Sequence, residues 1–194
     1  MGAPLLTRPT GEALVRRVLD RALVVGGAAS AWGVSTEWTP DTNSEAWNGY
    51  TMRQLIPASA IEAGSQMRLT LTRSAFALAV VDCYVGEAAA SGDPYDFAAT
   101  PVRVLFSGAN GFSYAADTGP ASVVTDTIEL ETDGTKNIIV SFNFGASAGF
   151  RAISTDKPGW VNYYKAGADA ATVNASGYST SIHDAGLVTK VEQR

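Results

Sequence analysis

Residues 101–145 read PVRVLFSGANGFSYAADTGPASVVTDTIELETDGTKNIIVSFNFG. Val102, Val104 and Phe106 alternate with Arg103, Leu105 and Ser107. After a Gly/Asn turn over Ser107–Gly111, Phe112 and Tyr114 alternate again. Ile128 and Leu130 stand against Glu129 and Glu131, and Ile138, Val140, Phe142 and Phe144 against Asn137, Ser141 and Asn143. Successive side chains of a strand point to opposite faces, so period-2 alternation predicts half-buried antiparallel strands. Asp133-Gly134 supplies the positive φ of a hairpin turn between the last two runs. A sheet with one apolar face has to bury it against a second sheet. The reading is therefore all-β: an antiparallel, jelly-roll-like β-sandwich organised on this stretch.

Composition agrees with that class. Hydrophobic residues make up 46% of the 194-residue chain and charged residues 17%, enough for a sizeable core. Nineteen glycines fit the many turns of an all-β fold. A net charge of -5 argues against a nucleic-acid surface, which needs clustered Lys and Arg. No apolar run approaches the roughly 20 residues of a membrane span. Val24–Ala31 is too short, and the Arg residues before it sit among acidic partners, so no signal peptide is expected.

Ahead of the sandwich, Pro4 and Pro9 make Met1–Pro9 an extended arm. Thr10 is an N-cap candidate, and Leu14, Val15, Val18, Leu19, Ala22 and Leu23 recur at helical spacing until Gly26-Gly27. The expected division is 1–27 as arm and short α-helix, and 28–194 as sandwich. A stripe of Leu14, Val18 and Ala22 needs a partner. That partner is either the chain's own sandwich or a neighbouring subunit, and the pattern does not decide between them.

Further along, Tyr50, Met52 and Gln54 alternate with Thr51, Arg53 and Leu55, and Met67, Leu69 and Leu71 with Arg68, Thr70 and Thr72. Phe76–Val85 is apolar on both faces, as a covered central strand requires, with Asp82 needing a partner. Phe150–Ser154 and Trp160–Lys165 read as short strands, Ala166–Ala185 as an irregular wrap, and Leu187–Glu192 as a closing edge strand.

The residues that carry chemistry are sparse. The only histidine, His183, precedes Asp184, but no G-x-S-x-G motif or Gly-Asp-Ser block supplies a nucleophile. The single cysteine, Cys83, lies in an apolar run and reads as a small buried hydrophobe. One Cys and one His exclude the usual structural zinc sets within one chain. Asp93 and Asp96, or Asp41, Asn43 and Glu45, offer loop oxygens to calcium without the twelve-residue pattern, so no metal is assigned. No phosphate loop follows a strand and opens a helix, and no cofactor is expected. The chain is read as not an enzyme.

Aromatic residues remain. Trp160, Asn162 and Tyr164 share one face of a strand by alternation, opposite Val161 and Tyr163. With Val161 inward, Trp160 and Tyr164 form a platform for stacking a sugar, with Asn162 as its polar contact. The competing reading has Trp160 capping the core.

Val102–Gly108, Thr125–Leu130 and Asn137–Phe142 resemble a β-sandwich module found beside SGNH-type esterases and in bacteriophage virion proteins. In it a V-x-L-x-F-G-G strand precedes a T/S-D-P-I/V strand and an L-x-V-S-L/F strand. The likeness spans Thr100–Tyr164, lacks the proline at Thr127, and has no hydrolase domain beside it. It implies a jelly-roll-like module in a phage or gene-transfer-agent particle: a head decoration, head fibre or tail appendage. The expected partners are other virion subunits, including copies of itself, and host surface glycans. The expected location is the virion, assembled in the host cytoplasm. A free carbohydrate-binding module is the alternative.

Overall fold

A computed structural model describes residues 31–39, 44–116, 121–151, 157–181 and 186–194. The arm, the helix with Leu14, Val18 and Ala22, the loop residues Asp41 and Asn43, and His183 and Asp184 lie outside the described residues, as does the Glu45 side chain. Twelve strands are described, and every pairing between them is antiparallel. In chain order they are β1 (Gly33–Glu37), β2 (Ser44–Ala46), β3 (Tyr50–Ile56), β4 (Ala63–Glu87), β5 (Val102–Val104) and β6 (Phe112–Tyr114). There follow β7 (Ala121–Val124), β8 (Ile128–Asp133), β9 (Ile138–Arg151), β10 (Val161–Ala166), β11 (Ser179–Thr180) and β12 (Val188–Gln193). Among the described residues helix is confined to one 3-10 turn, Ala58–Ala60, after Pro57.

The spine is β4, a single strand of 25 residues where the sequence suggests two. Its first half pairs with β12 on one edge (Met67↔Gln193, Leu71↔Val188) and with β8 and β7 on the other (Met67↔Ile128, Thr70↔Val124). Its second half pairs with β9 on one edge (Cys83↔Phe142, Val85↔Val140) and with β5 and β6 on the other (Cys83↔Val104, Val80↔Phe112). Register shifts between Arg73 and Leu78, Leu78 and Val80, and Val80 and Asp82 separate the halves. Bulges bend a strand and free the extra residue from its ladder. Phe76 (59% exposed) and Val81 (57%) fall at two of these breaks.

Two sheets thus share one strand. Sheet one runs β1, β12, the first half of β4, then β7 and β8. Sheet two runs β5 and β6, the second half of β4, β9, β3, β10 and β11, with β2 on the far end of β9. Their inner faces meet in one core. Met67, Leu69, Leu71, Ile128, Val188 and Val191 come from sheet one, and Met52, Ile56, Cys83, Val85, Val140 and Phe142 from sheet two. Gln54 fastens the layers: its amide donates to the Val188 carbonyl (3.3 Å) and accepts from the Val188 N–H (3.0 Å).

Three sequence expectations change. The strands of 101–145 do not pair with one another. They pair with β4 on either edge, and β9 also with β3 and β2. The Asp133-Gly134 turn (φ of Gly134 +72°) consequently passes the chain from sheet one to sheet two and closes no hairpin ladder. β12 is not an edge strand, because β1 lies outside it.

Candidate functional site

β10 carries the residues that the sequence singles out. It pairs with β3 in the register Val161↔Leu55, Asn162↔Gln54, Tyr163↔Arg53 and Tyr164↔Met52. The alternation holds, but Val161 and Tyr163 turn to the outer face of sheet two, and Trp160 to the core. Trp160 is 3% exposed and meets Trp38 edge-on, with ring centroids 6.4 Å apart and planes at 81°. The Lys157 ammonium lies 5.5 Å from the Trp160 ring and 5.9 Å from Trp38, and burial pulls its pKa below the usual lysine value. Asn162 is 2% exposed, beside Gly186, where a Cβ would stand 3.0 Å from its Oδ1. Tyr164 alone of the three is partly open to solvent.

Tyr164 belongs to an aromatic group that the sequence reading does not assemble. Trp47 lies on it at 3.9 Å between centroids and 31° between planes, and Tyr50 meets Trp47 edge-on at 5.6 Å. All three are half-buried. Tyr50 starts β3 and Trp47 sits in the turn before it, which places them over the end of β10.

On the outer face of sheet two, Arg53 is fully buried beneath the loops 88–101 and 167–178. Its Nη1 donates to the Tyr95 carbonyl (2.5 Å), and Nη2 to those of Asp169 (3.0 Å) and Thr172 (2.5 Å). Its guanidinium lies 4.7 Å from the Phe97 ring and 5.1 Å from that of Tyr178. Such contacts offset part of the desolvation of a cation. Leu55, Ile139, Tyr95, Phe97, Tyr163 and Ala175 fill the space around it. Asp96 accepts from the N–H groups of Asp93 (3.1 Å) and Ala175 (2.8 Å), and Asp93 accepts from the Tyr95 hydroxyl (3.0 Å). Of the oxygens weighed for calcium, both of Asp96 and Oδ2 of Asp93 are thus engaged by protein donors. Asn143 joins strand to loop: its Oδ1 accepts from the N–H groups of Asp169 and Ala170, and its Nδ2 donates to Asp82 at 2.6 Å.

Titration follows from this cover. Burial raises the Tyr178 hydroxyl to about 12, and raises Tyr163 and Tyr95 as well, Tyr95 with help from Asp93. These phenols are neutral near pH 7 and serve as neither bases nor nucleophiles there. Burial, then the charge of Asp82, holds the Cys83 thiol well above its ordinary value, the inert environment of a core cysteine. For Asp169, burial acts upward, but hydrogen bonds from Thr172 and Lys165 and the charge of Arg53 bring it below the usual carboxylate value. Among the described residues no group of three or more His, Cys, Asp or Glu side chains converges to hold a metal ion, and no helix is long and apolar enough to cross a membrane.

Thr51, Arg53 and Asn143 of sheet two fasten loops to strands, and Trp47, Tyr50 and Tyr164 form one partly open aromatic surface on it. Alternation along β10 marked Tyr164; the burial of Arg53 left no sequence signal. No protein-family model matches the chain, and no curated protein is detectably similar to it.

Proposed function

We propose that this chain is a structural, non-enzymatic subunit of a phage-like particle: residues 1–27 dock it, and the β-sandwich is the displayed part. The observation that carries this reading is that residues 32–194 close a sandwich with its own core, which leaves the apolar stripe of the preceding segment to another contact. An apolar stripe of Leu14, Val18 and Ala22 ahead of a domain that has its own core suits an anchor. The fastened charges of sheet two support a role in architecture. Leu14→Asp with Val18→Asp is expected to release the chain from its assembly while near-UV circular dichroism of the sandwich is unchanged. Assembly that survives the double substitution returns the helix to its own domain.

The stacked Trp47–Tyr164 pair favours a second reading, a carbohydrate-binding module, because partly open aromatic faces stack on sugar rings. Tyr164→Ala then abolishes retention on a glycan array with little effect on unfolding. Trp160→Ala, in the core, costs about 3–5 kcal/mol of stability. A wild-type chain that binds no glycan leaves the architectural reading alone.

A further inference from the structure

Among the described residues β1 is bonded on one side only, to β12. The Trp38 N–H donates to the Thr189 carbonyl at 2.9 Å, and the register before it is Thr36↔Val191 and Glu37↔Lys190. Bonded and non-bonded pairs alternate in an antiparallel ladder, so Glu37 falls in a non-bonded pair and turns its own N–H and C=O away from β12. Outward backbone groups on an edge are a template for another strand.

This edge is poorly guarded. β1 contains no Lys and no Pro, and Val34 is 49% exposed. By contrast β8, which among the described residues pairs only with β4, exposes Glu129, Glu131 and Asp133.

The two ends of β1 also differ in charge. Before its first residue, the Trp32 ring carries the guanidinium of Arg68 at 4.3 Å and that of Arg194 at 4.5 Å. Its last residue is the exposed carboxylate of Glu37. Val34 pairs with Glu192 and Glu37 with Lys190, so the bulge between Val34 and Thr36 leaves Val34 and Glu37 on the same outer face as Arg68. A two-fold axis just outside β1, level with its middle and perpendicular to the sheet, carries each Glu37 to the Trp32–Arg194 end of the other copy.

From this self-complementarity we propose that a second copy of the chain docks on this edge. β1 lies antiparallel to β1, the two copies of sheet one become one continuous sheet, and each Glu37 faces the partner's Arg pair. A C2 contact needs a patch that matches itself, and this edge has a donor, an acceptor, an apolar residue and opposite charges in two-fold order. Five residues a side make a small contact, so pairing in solution is weak and reversible, and gains strength when other contacts hold the copies together. It adds a contact separate from the arm: Leu14→Asp with Val18→Asp leaves it intact.

The test is sedimentation velocity of the full chain carrying those two arm substitutions, over a concentration series at low and high salt. The expected result is a monomer–dimer equilibrium that weakens as salt rises. Glu37→Arg alone and Arg194→Glu alone each weaken it at least about tenfold, because each sets like charges face to face. An equimolar mixture of the two regains the dimer as a one-to-one heterodimer. Glu37→Pro, which removes the outward N–H and leaves the Trp38 bond in place, also gives monomer, with unchanged circular dichroism. The proposal is overturned if the chain stays monomeric throughout the series, or if it associates and neither the single substitutions nor the mixture change that association. Loss of particle assembly on the arm substitutions, with the edge dimer kept, bears on the arm alone.

Discussion

The outer faces of the two sheets solve the same problem differently. On sheet one, Arg68 reaches Glu192 at 3.1 Å, Lys190 reaches the same carboxylate at 3.4 Å, and Gln66 reaches Glu129 at 2.7 Å. These contacts stand at or near the solvent, and one antiparallel face is free to be polar. On sheet two, the positions of corresponding parity are buried: Thr51 and Arg53 in β3, Ser141 and Asn143 in β9. Polar atoms of Thr51, Arg53 and Asn143 reach loop backbone instead of water. A polar residue in a strand therefore does not mark a solvent face; what lies over it decides.

The sharpest break of this contrast is a cation removed from each side. Arg53→Met strips donors from the carbonyls of Tyr95, Asp169 and Thr172. Buried unpaired acceptors cost about 1–3 kcal/mol each, and with some relaxation the expected loss is about 3–5 kcal/mol by urea unfolding. A smaller loss, about 1–3 kcal/mol, is expected for Asp96→Ala, which leaves the N–H groups of Asp93 and Ala175 without their acceptor. It should also raise amide exchange across 88–101 while β12 stays protected. Arg68→Ala on sheet one is expected to cost about 0–1 kcal/mol, since an ion pair that water still reaches contributes little. A loss from Arg68→Ala equal to that from Arg53→Met would erase the distinction.

The covered face also sets pH limits. Asp169 is depressed in the folded chain, so its contribution is present above the unfolded carboxylate value and fades as pH falls through the folded one. Asp169→Asn should flatten that part of the acid limb. Tyr178 is raised to about 12, so its contribution is present below its ordinary value near 10 and is lost as pH rises through about 12. Tyr178→Phe should remove part of the alkaline unfolding followed by tyrosinate absorbance, with a smaller effect than any of the buried-donor losses.

Much of the strand content is legible because alternation is a local signal. Met67, Leu69 and Leu71 bury and Arg68 and Thr70 do not, as period two requires. Pairing is less legible. The breaks at Ser74–Ala77 and Val81 disrupt the pattern of β4 and make one bent strand look like two. The same difficulty hides the cover of sheet two: Arg53 in an alternating run looks solvent-facing, and its partners are main-chain carbonyls, which any residue carries. Trp160, Asn162 and Tyr164 do share a face. Which face depends on Val161, and Val161 packs with Leu55 and Tyr163 under the loops.

The shared strand has a consequence for how the chain is made. β4 emerges from the ribosome early, yet Met67 waits for Gln193 and Leu71 for Val188. Sheet one cannot close until the segment 188–193 has been synthesised, and β1, whose only described partner is β12, waits with it. Pairings this distant in sequence carry a large loop-closure cost and fold slowly. Sheet two needs nothing later than β10 and β11 to complete its ladder. The nascent chain should therefore pass through a stage with sheet two formed and the apolar residues Met67, Leu69 and Leu71 uncovered, and that stage is where it is most exposed to aggregation and to chaperone capture.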